Sequence, residues 1–156
     1  MRVNRLASTA DIAGTTAWLA ATLPARPRPG TITEVNRQAI AADAAAWDAL
    51  ASDASEPNPF FERWFLLPAL DAFDPRGRVR LLRFESEGRL AGLMPVLRSS
   101  RYYHLRIPNL SGWHHANSFL GAPLVAAGFE REFWEALFGW CDRSPGMALF
   151  LHLPHL

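Results

Sequence analysis

Three stretches of the chain carry apolar residues at the spacing that predicts a helix with one buried face. The first is an alanine-rich helix over 40–51 with Trp47 facing inward. The second is capped by Asn58 and must kink or restart at Pro68, because the proline ring clashes with the preceding turn. The third, from Phe129 to Arg143, has the clearest apolar stripe and is predicted as the long helix.

Strand-like segments lie before, between and after these helices, at 31–35, 79–84, 89–97, 102–107, 118–125 and 147–153. The 89–97 segment is apolar on both faces, which predicts a central strand covered by helices on each side. Its Pro95 predicts a bulge or a local gap in pairing. Together the pattern predicts an α/β (α+β) fold, in which a mixed sheet has two helices on one face and the long helix on the other.

Composition narrows the classes of function. The chain has 156 residues, 49% of them hydrophobic, which fits one domain over 31–156 after an N-terminal extension and Pro/Arg linker at 1–30. A net charge of +1 lacks the excess positive charge that is typical of proteins that bind nucleic acid. Every basic side chain is Arg, so a lysine Schiff base is impossible within this chain. The single Cys141, with no signal peptide and no membrane-length apolar run, favours the cytoplasm.

The segment 109–125 concentrates polar side chains between apolar neighbours and is the candidate site. His114 and His115 are candidate catalytic bases, because imidazole titrates near working pH. On an extended segment the two neighbours point to opposite sides and cannot easily share a metal. His152 and His155 lack a Cys or carboxylate cluster, so no metal site is predicted. The alternative is that His114 and His115 are hydrogen-bonded loop histidines. The alternative to a metal site is a set of isolated structural or surface histidines.

Three further residues of this segment are candidates for binding a substrate. Trp113, Asn117 and Ser118 would line a ligand groove. The alternative is turn chemistry, since Asn and Ser side chains bond their own backbone in loops. Tyr102 and Tyr103 can place one phenol in a pocket, although packing is the competing explanation.

A set of residues across 31–156 follows the pattern of a known fold: Trp47 with Leu50, Asn58-Pro59-Phe60-Phe61 followed by Trp64, Gly92-Leu93-Met94-Pro95-Val96, and Ser118 to Val125 before the long helix. With the order of elements, it resembles the GNAT acyltransferase fold. It is most similar to the Fem-type and CelD-like branch, which is associated with bacterial cell-surface and polysaccharide biosynthesis.

The resemblance implies transfer of an acyl group from acetyl-CoA or another acyl-CoA (or aminoacyl-tRNA in Fem enzymes) to an amine. The acceptor would be a small molecule or a cell-surface precursor, and a tyrosine such as Tyr103 can serve as a general acid in this fold. GNAT enzymes hold the CoA pyrophosphate on a glycine-rich turn before the central helix. The equivalent turn here, Ala126 to Glu130, has one glycine and is followed by further glutamates, which would repel that group. We therefore expect the donor not to be bound by this segment alone, and the cofactor-binding residues stay unknown.

The GNAT pattern also implies a helix and further strands beyond the last predicted strand, whereas the sequence ends at Leu156. The expectation is an N-terminal half-domain, apparently incomplete at its C-terminus, that pairs with a second GNAT-like half or with another copy of itself. The alternative is a non-catalytic GNAT-like module that binds a partner chain or a second domain.

Overall fold

The structure is a computed structural model, which describes residues 30–143 and 146–156. The extension and linker predicted for 1–30 lie outside the described residues, apart from Gly30. The elements in chain order are β1 (Thr31–Val35), α1 (Arg37–Ala41), α2 (Ala44–Ser52), a 3₁₀ turn (Pro59–Phe61), α3 (Arg63–Phe73), β2 (Arg80–Ser86), β3 (Arg89–Ser99), β4 (Asn109–Gly112), β5 (Leu124–Val125), α4 (Glu130–Arg143) and β6 (Leu151–His152).

The strands form one mixed sheet in the order β1-β2-β3-β4-β6, with β5 also paired to β3. All pairs are antiparallel except β4 with β6, which run parallel through Leu110↔Leu151 and Ser111↔His152. β3 is buried from Leu90 to Val96, which confirms the prediction of a central strand.

Helices cover both faces of this sheet, and the neighbouring residues Arg83 and Phe84 show the division. The Arg83 guanidinium pairs with Asp43, between α1 and α2, at 2.7 Å. The Phe84 ring packs edge-on against Phe133 of α4, with ring centroids 5.7 Å apart. Successive strand residues point to opposite faces, so α1–α3 lie on one side and α4 on the other. Gly92 makes this packing possible, because a Cβ there would lie 2.7 Å from the Phe133 ring.

The predicted inward position of Trp47 is confirmed. Its side chain is fully buried, and its indole N–H donates to the Phe61 carbonyl at 3.0 Å. Asn58 caps the 3₁₀ turn by accepting the Phe60 N–H, and α3 then runs through Pro68 without restarting. The single helix predicted over 40–51 is divided into α1 and α2 by a turn at residues 42–43.

Pro95 creates a gap in pairing and no bulge. β3 pairs with β5 at Gly92 and Leu93, and with β4 only from Val96 onwards. The Pro95 carbonyl accepts the Trp113 N–H at 2.9 Å, on the same side of β3 as that gap. Since the N and C=O of one strand residue point the same way, the missing N–H of Pro95 faces the gap. The bulge in the sheet is elsewhere, between Phe84 and Glu85.

Three strand predictions are wrong or too long. The 102–107 segment is a turn, because the Tyr102 and Leu105 backbones bond each other at 3.0 Å instead of a neighbouring strand. Within 118–125 only Leu124–Val125 pairs, and within 147–153 only Leu151–His152. β4 and β5 both pair with β3 along the same edge, and residues 113–123 form the loop that connects them. This stretch, called the 113–123 loop below, carries most of the candidate site residues.

Among the residues that the structure describes, no helix combines the length and the apolar character needed to cross a bilayer.

Candidate functional site

A large cavity opens beside β4 and β6. Parallel strands deliver the segments that follow them to the same edge of a sheet, so the residues after Gly112 meet those after His152. The cavity has a volume of about 590 Å³. We call it the histidine cleft; it is lined by Leu97, Ser99, Arg101, Tyr102, Tyr103, Asn109, Ser111, His114, His152, Pro154 and His155.

Three imidazoles face this cleft. The His114 and His155 rings meet edge to face, with centroids 4.9 Å apart. His152 has its Nδ1 3.3 Å from the Ser111 hydroxyl and its ring 5.2 Å from the Tyr102 ring. Among the described residues, no group of three or more His, Cys, Asp or Glu side chains is arranged to hold a metal ion.

The environment of His114 favours its neutral form. Burial lowers the pKa of this imidazole, the nearby His155 lowers it further, and His152 adds a smaller effect. A hydrogen bond with the Gly112 backbone opposes these effects without cancelling them. A neutral imidazole has a free lone pair, so the cleft holds a group able to accept a proton at neutral pH.

Backbone strain also concentrates at the cleft. Tyr103 and His155 have φ angles of 51° and 56°, in the left-handed region that side chains other than glycine rarely adopt. Among the described residues, Glu87 in the β2–β3 hairpin is the only other such non-glycine residue. Each left-handed residue costs about 1–2 kcal/mol. Strain of this kind is typical of sites where a side chain must be held in a fixed direction.

His115 lies away from the cleft, as the prediction of opposite directions required. Its ring is stacked between Phe73 and Phe65 of α3, at 4.5 and 5.7 Å. Its Nδ1 accepts the Asn117 backbone N–H at 3.2 Å, so the neutral ring carries its proton on Nε2. That Nε2 is buried with no hydrogen-bond partner among the described residues. Burial and then the neighbouring His114 lower its pKa.

The candidate site residues therefore do not form a single site. Tyr103 and His114 share the histidine cleft. His115 and Asn117 line a separate cavity of about 300 Å³ against α3. Trp113 is buried with 9% exposure, and Ser118 is buried with a hydroxyl that has no partner among the described residues.

Sequence reasoning did not place His152, His155 and Ser111 in one cleft with His114. The signal that could have found them is the parallel pairing of β4 with β6, which brings the ends of both strands together. That pairing is not visible in the local hydrophobic pattern.

Buried contacts fix the 113–123 loop beside the cleft. Asn58 is fully buried, and its Nδ2 donates to the carbonyls of Ala122 at 2.6 Å and Leu120 at 3.3 Å. The Gly121 N–H donates to the His155 carbonyl at 2.7 Å. A Cβ at Gly121 would collide with the Pro154 carbonyl, so glycine is required for this approach.

The N-terminus of α4 is a second region of interest, because free N–H groups at a helix start attract anions. Here the N–H groups of residues 126–129, which lead into the helix, are hydrogen-bonded within the protein. The Gly128 N–H donates to the Glu130 carboxylate at 3.1 Å, while the N–H groups of Ala126, Ala127 and Phe129 donate to backbone carbonyls. Hydrogen bonds from its own N–H and then from Gly128 lower the pKa of Glu130, so this carboxylate stays charged.

Comparison with known proteins identifies the fold. No family model matches the chain, and no curated protein matches it. Among solved structures, it is similar to a GNAT family acetyltransferase from Staphylococcus aureus, with a TM-score of 0.51 and 13% identity, over 81% of this chain and 86% of that one. It is also similar to an acetyltransferase from Trypanosoma brucei, with a TM-score of 0.43 and 9% identity over 78% and 80% of the two chains. The second likeness is too low to carry an argument, and the first establishes a GNAT-like fold.

A CoA pyrophosphate does not fit the start of α4. The Glu130 carboxylate already accepts the Gly128 N–H that an anion would need, and Glu132 adds a second acid in the first turn. The negative charges of these two carboxylates would repel the phosphates. The residues of this turn therefore give no basis for a reaction step through a bound CoA.

Proposed function

We propose that this chain is the acceptor-binding part of an N-acyltransferase, in which the histidine cleft holds an amine and His114 takes its proton. The observation that carries the proposal is the pair of imidazoles, His114 and His155, in edge contact at 4.9 Å inside a cavity of about 590 Å³. The GNAT-like fold supports acyl transfer as the class of reaction, because it is the fold of a known acetyltransferase.

An amine becomes a better nucleophile when a nearby base removes its proton during attack. His114 suits this role because its lowered pKa keeps the ring neutral. Tyr103, at the mouth of the same cleft, is the proposed general acid. His115 is not assigned to the chemistry, since it lies between two phenylalanine rings away from the cleft.

The acyl donor is proposed to be held outside this segment, by a second GNAT-like half or by another copy of the chain. This follows from the start of α4, whose turn is already satisfied by Glu130. For the acceptor we propose a small molecule or a cell-surface precursor with a primary amine, as in the Fem-type and CelD-like branch.

The proposal is tested with a thioester that needs no nucleotide site, such as S-acetyl-N-acetylcysteamine, and a panel of small primary amines. Thiol release is measured for the wild type, His114→Gln and His104→Gln. His104 is exposed and does not line the cleft, so it is the matched control. We expect His114→Gln to lower the rate about 10²-fold or more, as for loss of a general base. Equal rates in the two variants would overturn the assignment of His114.

The pH dependence of the wild-type rate gives a second readout. A base works only when unprotonated, and the pKa of His114 lies below its ordinary value of about 6.5. The rate, calculated on the concentration of unprotonated amine, should therefore rise with pH along a limb whose midpoint is below 6.5 and stay level above it. The other titratable side chains facing the cleft are Arg101, Tyr102, Tyr103, His152 and His155. A midpoint above 7 would show that another group is the base.

A non-catalytic module that binds a partner is the second candidate. It is favoured by an apolar groove of about 390 Å³ between α4 and β6, lined by Leu110, Phe138, Cys141, Asp142 and 148–151. Phe138 and Leu149 at this groove are 53% and 75% exposed. Exposed apolar surface beside a strand at the edge of a sheet favours association. Light scattering that gives a dimer for the wild type and a monomer for Leu149→Ser would support this candidate, and a monomeric wild type would argue against it.

A further inference from the structure

The charge on the walls of the histidine cleft restricts what it can bind. Of its lining residues, none is Asp or Glu, whereas Arg101 and three histidines are present. A diamine or polyamine would meet no carboxylate on these walls and would be repelled by the guanidinium. A molecule carrying a negative group would find a positive partner together with tyrosine and serine hydroxyls.

Arg101 is held by its backbone at the rim of the cleft. Its carbonyl accepts the Ser99 hydroxyl at 2.8 Å and the Asn109 side-chain N–H at 2.9 Å, and its N–H donates to Ser99 Oγ at 3.2 Å. Asn109 is only 2% exposed and also donates to the Ile107 carbonyl, so one buried amide fixes both ends of the 101–107 turn. The position of the Arg101 backbone is therefore set before any ligand arrives.

The guanidinium of Arg101 also has no ion-pair partner among the described residues. Arg98, three residues earlier, instead makes two hydrogen bonds to Glu34 at 2.8 and 2.7 Å and lies over the Trp140 ring. A guanidinium presents a planar fork that suits carboxylate and phosphate oxygens.

We infer that the acceptor of the histidine cleft is an anionic amine, whose carboxylate or phosphate group binds Arg101 while its amino group faces His114. The amino group of this acceptor rests on the proposed function. Its negative group is inferred from the cleft residues alone. The acceptor class is therefore an amino acid or a phosphorylated amine, and not a diamine. The orienting role of Arg101 is that of a binding residue, separate from the proton transfer assigned to His114.

The test is a binding measurement on the full chain, without any acyl donor. Four probes are titrated calorimetrically: phosphoethanolamine, β-alanine, ethanolamine and putrescine. The first two separate phosphate from carboxylate, ethanolamine lacks the anion, and putrescine carries a second cation. We expect at least one anionic amine to bind about tenfold more tightly than ethanolamine, as one charge-assisted contact provides. Putrescine is expected to be the weakest.

Arg101→Gln should remove this preference, and Arg106→Gln should preserve it. Arg106 is an exposed arginine of the same turn that does not line the cleft, so it matches Arg101 in charge and neighbourhood. Putrescine binding as tightly as the anionic amines, no binding of either anionic probe, or a preference that survives Arg101→Gln would each overturn the inference. Failure of the proposed function is distinguishable, because it would appear as unchanged thiol release in His114→Gln with the anion preference intact.

Discussion

The histidine cleft and the start of α4 both present polar groups suited to a ligand. They differ in whether those groups already have partners within the protein. At the start of α4, Glu130 supplies the negative charge that a helix N-terminus attracts, and Gly128 donates to it. In the cleft, Arg101 has no carboxylate partner among the described residues, and His114 keeps a free lone pair. In the first region a carboxylate of the protein already occupies the Gly128 N–H, whereas in the second no described carboxylate pairs with the Arg101 guanidinium.

This difference shows that the side chains around a helix start or a strand end, and not the fold alone, decide which polar groups are left for a ligand. In the turn from Ala126 to Glu130, the Glu130 side chain itself accepts the Gly128 N–H. Function is therefore argued from the unsatisfied groups and not from the architecture. Three predictions test the comparison.

The largest effect is expected from Asn58→Ala, which removes the side chain that holds the 113–123 loop beside the histidine cleft. The change leaves the carbonyls of Leu120 and Ala122 and the N–H of Phe60 without their partner. We expect the free energy of unfolding to fall by about 3 kcal/mol, because buried polar groups left unpaired are costly. Urea denaturation followed by fluorescence measures it.

Asn117→Ala is the matched control for that change, since Asn117 is an exposed asparagine of the same loop. It should change stability by less than about 0.5 kcal/mol. A loss below about 1 kcal/mol in Asn58→Ala would mean that the loop is held by other contacts.

A smaller effect of opposite sign is expected from Tyr103→Gly. Glycine adopts a φ of 51° without strain, so the variant should be more stable by about 1 kcal/mol. Glu87→Gly is the control, because Glu87 has a φ of 52° but lies in the β2–β3 hairpin. Both should raise the melting temperature, but only Tyr103→Gly should weaken binding of amines. If neither or both lose binding, the Tyr103 side chain does not contribute to binding of amines in the cleft.

The smallest effect is expected at the start of α4. Glu130→Ala releases the Gly128 N–H, which is then available to an anion. We expect affinity for inorganic pyrophosphate, followed by the NMR shift of the Gly128 amide, to rise by about two- to fivefold. Glu135→Ala, farther along the helix, should leave it unchanged. Wild-type protein that already binds pyrophosphate tightly at Gly128 would remove the contrast between the two regions.

Several elements were predictable because their residues interact locally or through a simple period. The apolar run of β3 identified the central strand, and the stripe of α4 identified the long helix. Trp47 was correctly placed in the core, and His114 and His115 point in different directions as neighbours on an extended segment should.

The site was predicted only in part, because its groups come from distant segments. Tyr103 and His114 were both singled out, yet their proximity to His155 depends on the pairing of β4 with β6. The 118–125 segment has the composition of a strand, but only its last two residues pair. The Asn58 side chain and the His155 carbonyl bind the rest of the loop away from the sheet, through contacts that a local pattern does not contain.

The sequence by itself determined the central strand, the long helix and the residue types available for chemistry, because propensity and periodicity act over a few neighbouring residues. The tertiary structure decided which of those residues meet. It joined His114 to His155 across the ends of two parallel strands and moved His115 between two phenylalanines. It also satisfied the start of α4 with Glu130. These outcomes depend on burial and on hydrogen bonds between segments far apart in the chain, which exist only once the sheet has formed.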